Sequence, residues 1–198
     1  KELPENNIVT IQPDSLRILH NPLTGWVLYA SMGVDAADFW AQYDHMYIPE
    51  LGHNVSVTDY AHTLYIRASW TDFNPQEDVY GWKIDSNLRA YIEGAYQRNM
   101  RLAFRVVVDS RDKRTEFTPQ FVKDAGAKGF MNKGKWSPYS DDSVFQKYYT
   151  KFVKALAKDF NDPSKVEFID GFGLGKWGEY HTMIYSTGDD TPKKAVFD

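Results

Sequence analysis

Apolar and polar positions along the chain follow two periods in turn. Gly25 to Ala30, Thr63 to Ser69, Leu102 to Val108 and Val166 to Phe172 are short runs rich in β-formers and read as strands. The stretches between them carry apolar residues at helical spacing. Phe39, Trp40, Tyr43 and Tyr47 recur through Asp35 to Tyr47. Asp85 can cap a helix running to Asn99 that puts Leu88, Ile92, Ala95 and Tyr96 on one face. From Asp142 to Phe160, Phe145, Tyr149, Phe152, Leu156 and Phe160 form a buried stripe, with Lys147, Lys151, Lys154 and Lys158 on the solvated side. Strand then alternates with helix, which predicts an α/β fold whose consecutive strands lie adjacent and parallel. Leu102 to Val108 is apolar almost throughout, the type of strand buried on both faces of a parallel sheet.

The remaining segments read as irregular. Lys1 to Asn21, with Pro4 and Pro13, is a leader, and Asp109 to Ser140 is a long connection with a small helical piece after Thr118-Pro119. No repeat, low-complexity block or linker divides the chain, so residues 1–198 read as a single domain. An open doubly wound sheet and a closed barrel both fit the order of elements. The dinucleotide fingerprint that would favour the former is missing after the first strand. Gly175-Lys176 is followed by Trp177 rather than Ser or Thr, so no phosphate-binding loop is present either.

Composition narrows the function. A net charge of -4 and a pI near 5.7 argue against a nucleic-acid partner. No apolar run approaches a membrane span. The chain has no Cys, and His20, His45, His53, His62 and His181 lack metal-ligand spacing, so neither metal nor cofactor is expected. No charged-then-apolar leader opens the sequence, and a processed chain that is secreted, periplasmic or on the cell surface is the expectation. Aromatic residues make up 16% of a chain whose mean hydropathy is only -0.54. Many lie beside Asp, Asn, Gly and Ser, a setting in which sugar rings stack on aromatic faces. Most large rings serve the core; Trp136 and Trp177, in loops rich in Gly and Lys, are expected instead as exposed platforms.

Candidate chemistry concentrates after the fourth strand, in Gly171-Phe172-Gly173-Leu174-Gly175-Lys176-Trp177-Gly178-Glu179-Tyr180-His181. A lone glutamate in a turn is ordinarily a solvated surface residue. Here Glu179 emerges among glycines and aromatics just past a strand end, where a barrel keeps its active face. Such a carboxyl suits protonation of a leaving oxygen. Asp72, Asp109 and Asp112 follow other strands and are further acids on the same face, with structural ion pairing as their alternative reading.

The stretch Arg67-Ala68-Ser69-Trp70-Thr71-Asp72-Phe73-Asn74-Pro75-Gln76-Glu77-Asp78-Val79-Tyr80-Gly81-Trp82 resembles the signature after the second strand of clan A glycoside hydrolases, and more narrowly of β-galactosidase-like barrels and their bacterial relatives of unknown function. Asn21-Pro22-Leu23-Thr24-Gly25-Trp26, Thr118-Pro119-Gln120-Phe121-Val122 through Gly126-Ala127, and Trp177-Gly178-Glu179-Tyr180-His181 resemble that family's first, third and fourth strand regions, in the correct order. The resemblance implies a (β/α)8 TIM barrel of which this chain holds the first four units, with Glu179 as general acid/base and an oligo- or polysaccharide as substrate. Trp177, Trp136, Trp70, Arg67, Asp109, Arg111 and His181 would line the sugar site. Gly178 stands where the family usually has asparagine, and no seventh strand is present to hold its nucleophile. Two alternatives stay open: a non-catalytic carbohydrate-binding barrel, and a structural half-barrel without ligand. The exposed strand edges of a half-barrel would invite self-association.

Overall fold

The computed structural model describes residues 25–109, 116–132, 134–170, 175 and 177–179. Strand β1 (Trp26–Tyr29) leads to helix α1 (Ala36–Asp44), then to a hairpin of β2 (Met46–Ile48) and β3 (His53–Val55). The long strand β4 (Ala61–Ser69) follows, with short helices α2 (Trp70–Phe73) and α3 (Gly81–Ile84) and the longer α4 (Ser86–Gln97). Strand β5 (Arg101–Val107), helix α5 (Gln120–Asp124), a second hairpin of β6 (Gly129–Asn132) and β7 (Lys135–Pro138), helix α6 (Ser143–Phe160) and strand β8 (Val166–Ile169) complete the order.

The four strands expected from the apolar runs form one parallel sheet in chain order, β1-β4-β5-β8. The expected helix starts are also present, each set by a carboxylate. Asp35 accepts from the amide of Ala37, Asp85 from Leu88, and Asp142 from Val144 and Phe145. Each bond satisfies amide donors that the first turn leaves without an internal acceptor.

Two local expectations give way. Helix α1 stops at Asp44, short of Tyr47, because Met46 to Ile48 pairs in the hairpin instead. Within 109–140 the second hairpin replaces an irregular loop. Strand β5 is buried on both faces except at its arginines, with Ala103 and Val107 buried on the side away from the helices. Its Leu102, Phe104 and Val106 join Leu28, Leu64, Ile66 and Ala68 in the core beneath the helices, while Arg101 and Arg105 project to the other side and are half-buried.

The helical layer is held mainly by rings. Phe104 meets Phe73 at 5.9 Å and Phe160 at 4.9 Å, and Phe39 meets Tyr91 at 4.8 Å. Fully burying such side chains contributes roughly 1.5–3 kcal/mol each before the entropy of ordering is counted.

The opposite face is layered across the strands. Tyr29, Tyr65, Ala103 and Phe168 are successive register partners from β1 to β8. Tyr29 and Tyr65 pack edge to face at 5.5 Å, and Tyr65 lies 6.1 Å from Phe168. The next layer toward the strands' C-terminal ends places Arg67 beside Arg105, and Asp170 follows β8, its amide bonded to the Phe104 carbonyl. An aromatic floor thus lies below a charged layer.

Candidate functional site

Alternation along β4 and β5 sends Arg67 and Arg105 to the sheet face that the helices do not cover. Charged groups so placed need partners, and the segment after β8 supplies them. Arg105 donates from Nε to Asp170 Oδ2 at 2.6 Å and from Nη1 to Glu179 Oε1 at 2.8 Å. Arg67 donates from Nη2 to the Trp177 carbonyl at 2.8 Å, and its Nη1 lies 4.0 Å from Glu179 Oε1. Tyr65 donates its hydroxyl to the same Asp170 Oδ2 at 2.7 Å. Burial, and then this bond, hold the Tyr65 phenol well above its ordinary value. For Arg105, burial works against the charge, but the bond to Asp170 and the neighbouring acids outweigh it and raise its affinity for the proton.

The loop itself turns tightly. Gly178 donates its amide to the Gly175 carbonyl at 3.0 Å, and Trp177 and Gly178 both hold positive φ, 63° and 68°. The ring of Trp177 is 40% exposed. It borders a cleft of about 170 Å³ at the C-terminal ends of β4 and β5, walled by Tyr29, Arg67, Ser69, Asp72 and Asp109. The structure thus brings together Glu179, Trp177, Arg67 and Asp109. Asp109 is buried in the wall and accepts a bond from the Ser137 hydroxyl at 3.3 Å. Arg111, Asp112 and His181 lie outside the described residues.

Two expected platforms are not at the mouth. Trp70 is 0% exposed, because Ser69 and Asp72 form a capping box that ends β4 and starts α2 at once. That turn carries the indole into the helical layer, against Phe121, Phe145, Tyr149 and Phe152. Its Nε1 has no hydrogen-bond partner among the described residues. Trp136, expected as exposed, is 6% exposed. The second hairpin folds its ring over Gly129, with the Lys123 ammonium 5.5 Å from the ring centre. Asp72, weighed as a further acid, is occupied with the Ser69 amide and hydroxyl.

Tyr65, Arg105 and Asp170 belong to the site and were not among the expected residues. The signal was an arginine inside an otherwise apolar strand, which must find a counter-charge, and an aspartate directly at the end of another strand. Among the described residues no group of three or more His, Asp or Glu side chains could hold a metal ion, and no helix is long and apolar enough to cross a membrane.

No protein-family model matches the chain, and no curated protein matches it. Among solved structures, the chain is similar to xylanase B from Clostridium stercorarium F9, with a TM-score of 0.42 and 13% identity over 82% of this chain and 44% of that one. The chain spans less than half the length of that enzyme.

Proposed function

We propose that this chain carries the acid/base side of a glycoside-cleaving site, built on the first four units of a (β/α)8 barrel. The observation that supports it is the seating of Glu179 and the half-exposed Trp177 above the C-terminal ends of parallel strands, each anchored by an arginine from the sheet. In this reading a sugar ring stacks on Trp177 and extends into the adjoining cleft. Glu179 Oε1 accepts from Arg105, so the transferable proton is carried on Oε2. As the bond from the anomeric carbon to the leaving oxygen breaks, that proton passes to the oxygen, a carboxylate nucleophile from outside these four units bonds to the anomeric carbon, and the Glu179 carboxylate remains with its guanidinium partner. The resulting carboxylate can then take a proton from the water that attacks the sugar. A location outside the cytoplasm accompanies this reading.

A second reading is favoured by one observation. Glu179 is ion-paired with Arg105, with Arg67 close by, as suits a fixed hydrogen-bond acceptor in a non-catalytic carbohydrate-binding module. Turnover of unactivated oligosaccharides and of aryl glycosides by the protein with all eight barrel units present, and by its Glu179→Gln variant, separates the two. Loss of a general acid lowers turnover of the unactivated sugar by about 100- to 10,000-fold and that of a good leaving group much less. Saccharide binding without turnover by the unmodified protein would leave only the binding reading. Neither binding nor turnover would remove both.

A further inference from the structure

We propose that Tyr65, Asp170 and Arg105 form a positioning relay that sets the place of the Glu179 carboxyl. The effect on turnover rests on the glycosidase reading, whereas the relay itself rests on geometry alone. Its members come from three separate elements, β4, β5 and the segment after β8. Asp170 Oδ2 receives two donors, the Tyr65 hydroxyl at 2.7 Å and Arg105 Nε at 2.6 Å. A carboxylate oxygen bonded from two directions has little freedom to turn. The guanidinium is planar and rigid, so fixing its Nε edge fixes the direction of Nη1, which is the atom that reaches Glu179 at 2.8 Å.

The aromatic floor adds a second constraint. Tyr65 lies between the partly exposed rings of Tyr29 and Phe168, and these contacts limit the directions its hydroxyl can take. The Arg105 guanidinium also lies 6.0 Å from the centre of the Tyr65 ring. Glu179 itself sits in a glycine-containing turn and is 37% exposed along its side chain. A carboxyl on such a loop would otherwise sample several positions, and small misplacements of a reacting group are expensive in rate. The relay thus transfers the rigidity of a packed sheet to a loop residue. Tyr65 and Asp170 touch neither substrate nor reacting atoms in this scheme, and they are positioning residues.

The relay can be read without any activity. Arginine side-chain NMR of the protein, with the Arg105 Nε–H signal assigned by its loss in Arg105→Lys, reports the bond to Asp170. That proton should exchange with solvent at least about tenfold faster in Asp170→Asn, because a charge-assisted bond is replaced by a weaker one. Tyr65→Phe keeps the ring in the floor and removes one donor, and should give a smaller increase. In parallel, kcat should fall about tenfold or more in Arg105→Lys with KM within about twofold, since an ammonium cannot span both carboxylates in the same geometry. Tyr65→Phe should lower kcat in the same sense and by less. Thermal melts confirm that each variant is folded, and Tyr65→Phe serves if Arg105→Lys is not. Unchanged Nε–H exchange in Asp170→Asn would overturn the relay. Faster exchange with kcat unmoved would overturn its positioning role. If the unmodified protein turns over no glycoside, the glycosidase reading fails while the exchange measurement still decides whether the relay exists.

Discussion

Arg67 and Arg105 stand side by side as register partners on adjacent parallel strands, yet they hold different parts of one loop. Arg67 grips the backbone at the Trp177 carbonyl, and Arg105 grips the side chain of Glu179. Two like charges on neighbouring strands repel. Asp170 and Glu179 interleave with them, so the pair requires the loop as much as the loop requires the pair.

Removing the backbone grip should loosen the ring. In Arg67→Met, the emission component that Trp177→Phe eliminates should move to longer wavelength and be quenched more strongly by acrylamide. Unchanged quenching would mean that the turn at Gly175 to Gly178 holds Trp177 unaided.

Trp70 offers a test of core against cleft. Trp70→Ala should destabilise the protein by about 3–5 kcal/mol in urea unfolding, the range for deleting a large buried ring. Trp70→Phe leaves less volume unfilled and removes an indole N–H that has no partner among the described residues, so its cost should be smaller than that of Trp70→Ala. Neither change should alter saccharide affinity in the folded protein, whereas Trp177→Ala should weaken it.

Gly94 in α4 faces Trp40 of α1 so closely that an added Cβ would lie 2.1 Å from the indole Nε1. Alanine ordinarily favours a helix interior over glycine by about 1 kcal/mol. Trp40 cannot move aside, being set against Phe39, the Arg98 guanidinium and the Ala90 carbonyl. Gly94→Ala should therefore lower stability by about 1–3 kcal/mol. Combining it with Trp40→Phe should cost less than the sum of the two single changes, which a double-mutant cycle in urea would measure.

Alkaline pH should erode stability through the tyrosines. Burial pushes the Tyr91 phenol up to about 12 and that of Tyr149 to about 12, and Tyr65 is raised further by burial and Asp170. Unfolded tyrosine ionises near about 10. Below that pH both states are protonated and these groups leave stability unchanged. Above it the unfolded chain loses protons that the folded chain keeps, so stability falls from about pH 10 up through the folded-state values. Urea unfolding at pH 9 and pH 11 should show this loss, and Tyr65→Phe should reduce it. An equal midpoint at both pH values would contradict the burial of these hydroxyls.

The sheet was legible because each of its strands is a run of β-formers flanked by helices with clear periodicity, and tertiary packing had nothing to overrule. The two hairpins were not, since Met46-Tyr47-Ile48 and Lys135-Trp136-Ser137-Pro138 are too short to show a period of two. Of the candidate site, Glu179 and Trp177 could be read from their positions past a strand end, and Arg67 from its place near the end of a strand, two residues before Ser69. Trp136 misled because polar neighbours in the sequence say nothing about where a turn aims a ring, and Trp70 because a motif resemblance places a residue after a strand without fixing which layer its side chain enters. Arg105 was hidden by the apolar residues on either side of it, which face the helices while it faces the opposite way.

The positive φ of Trp177 has a further consequence. A left-handed backbone costs a residue with a side chain roughly 1–2 kcal/mol, and glycine almost nothing. The loop therefore behaves as a sprung clip, with an indole loaded onto a position that a glycine would occupy at rest. Trp177→Gly discards the ring and releases the spring; Trp177→Ala discards the ring and leaves the spring compressed. The difference in stability between these two variants, corrected for the extra freedom of glycine in the unfolded chain, measures the conformational energy that the chain commits to presenting a flat aromatic surface beside Glu179.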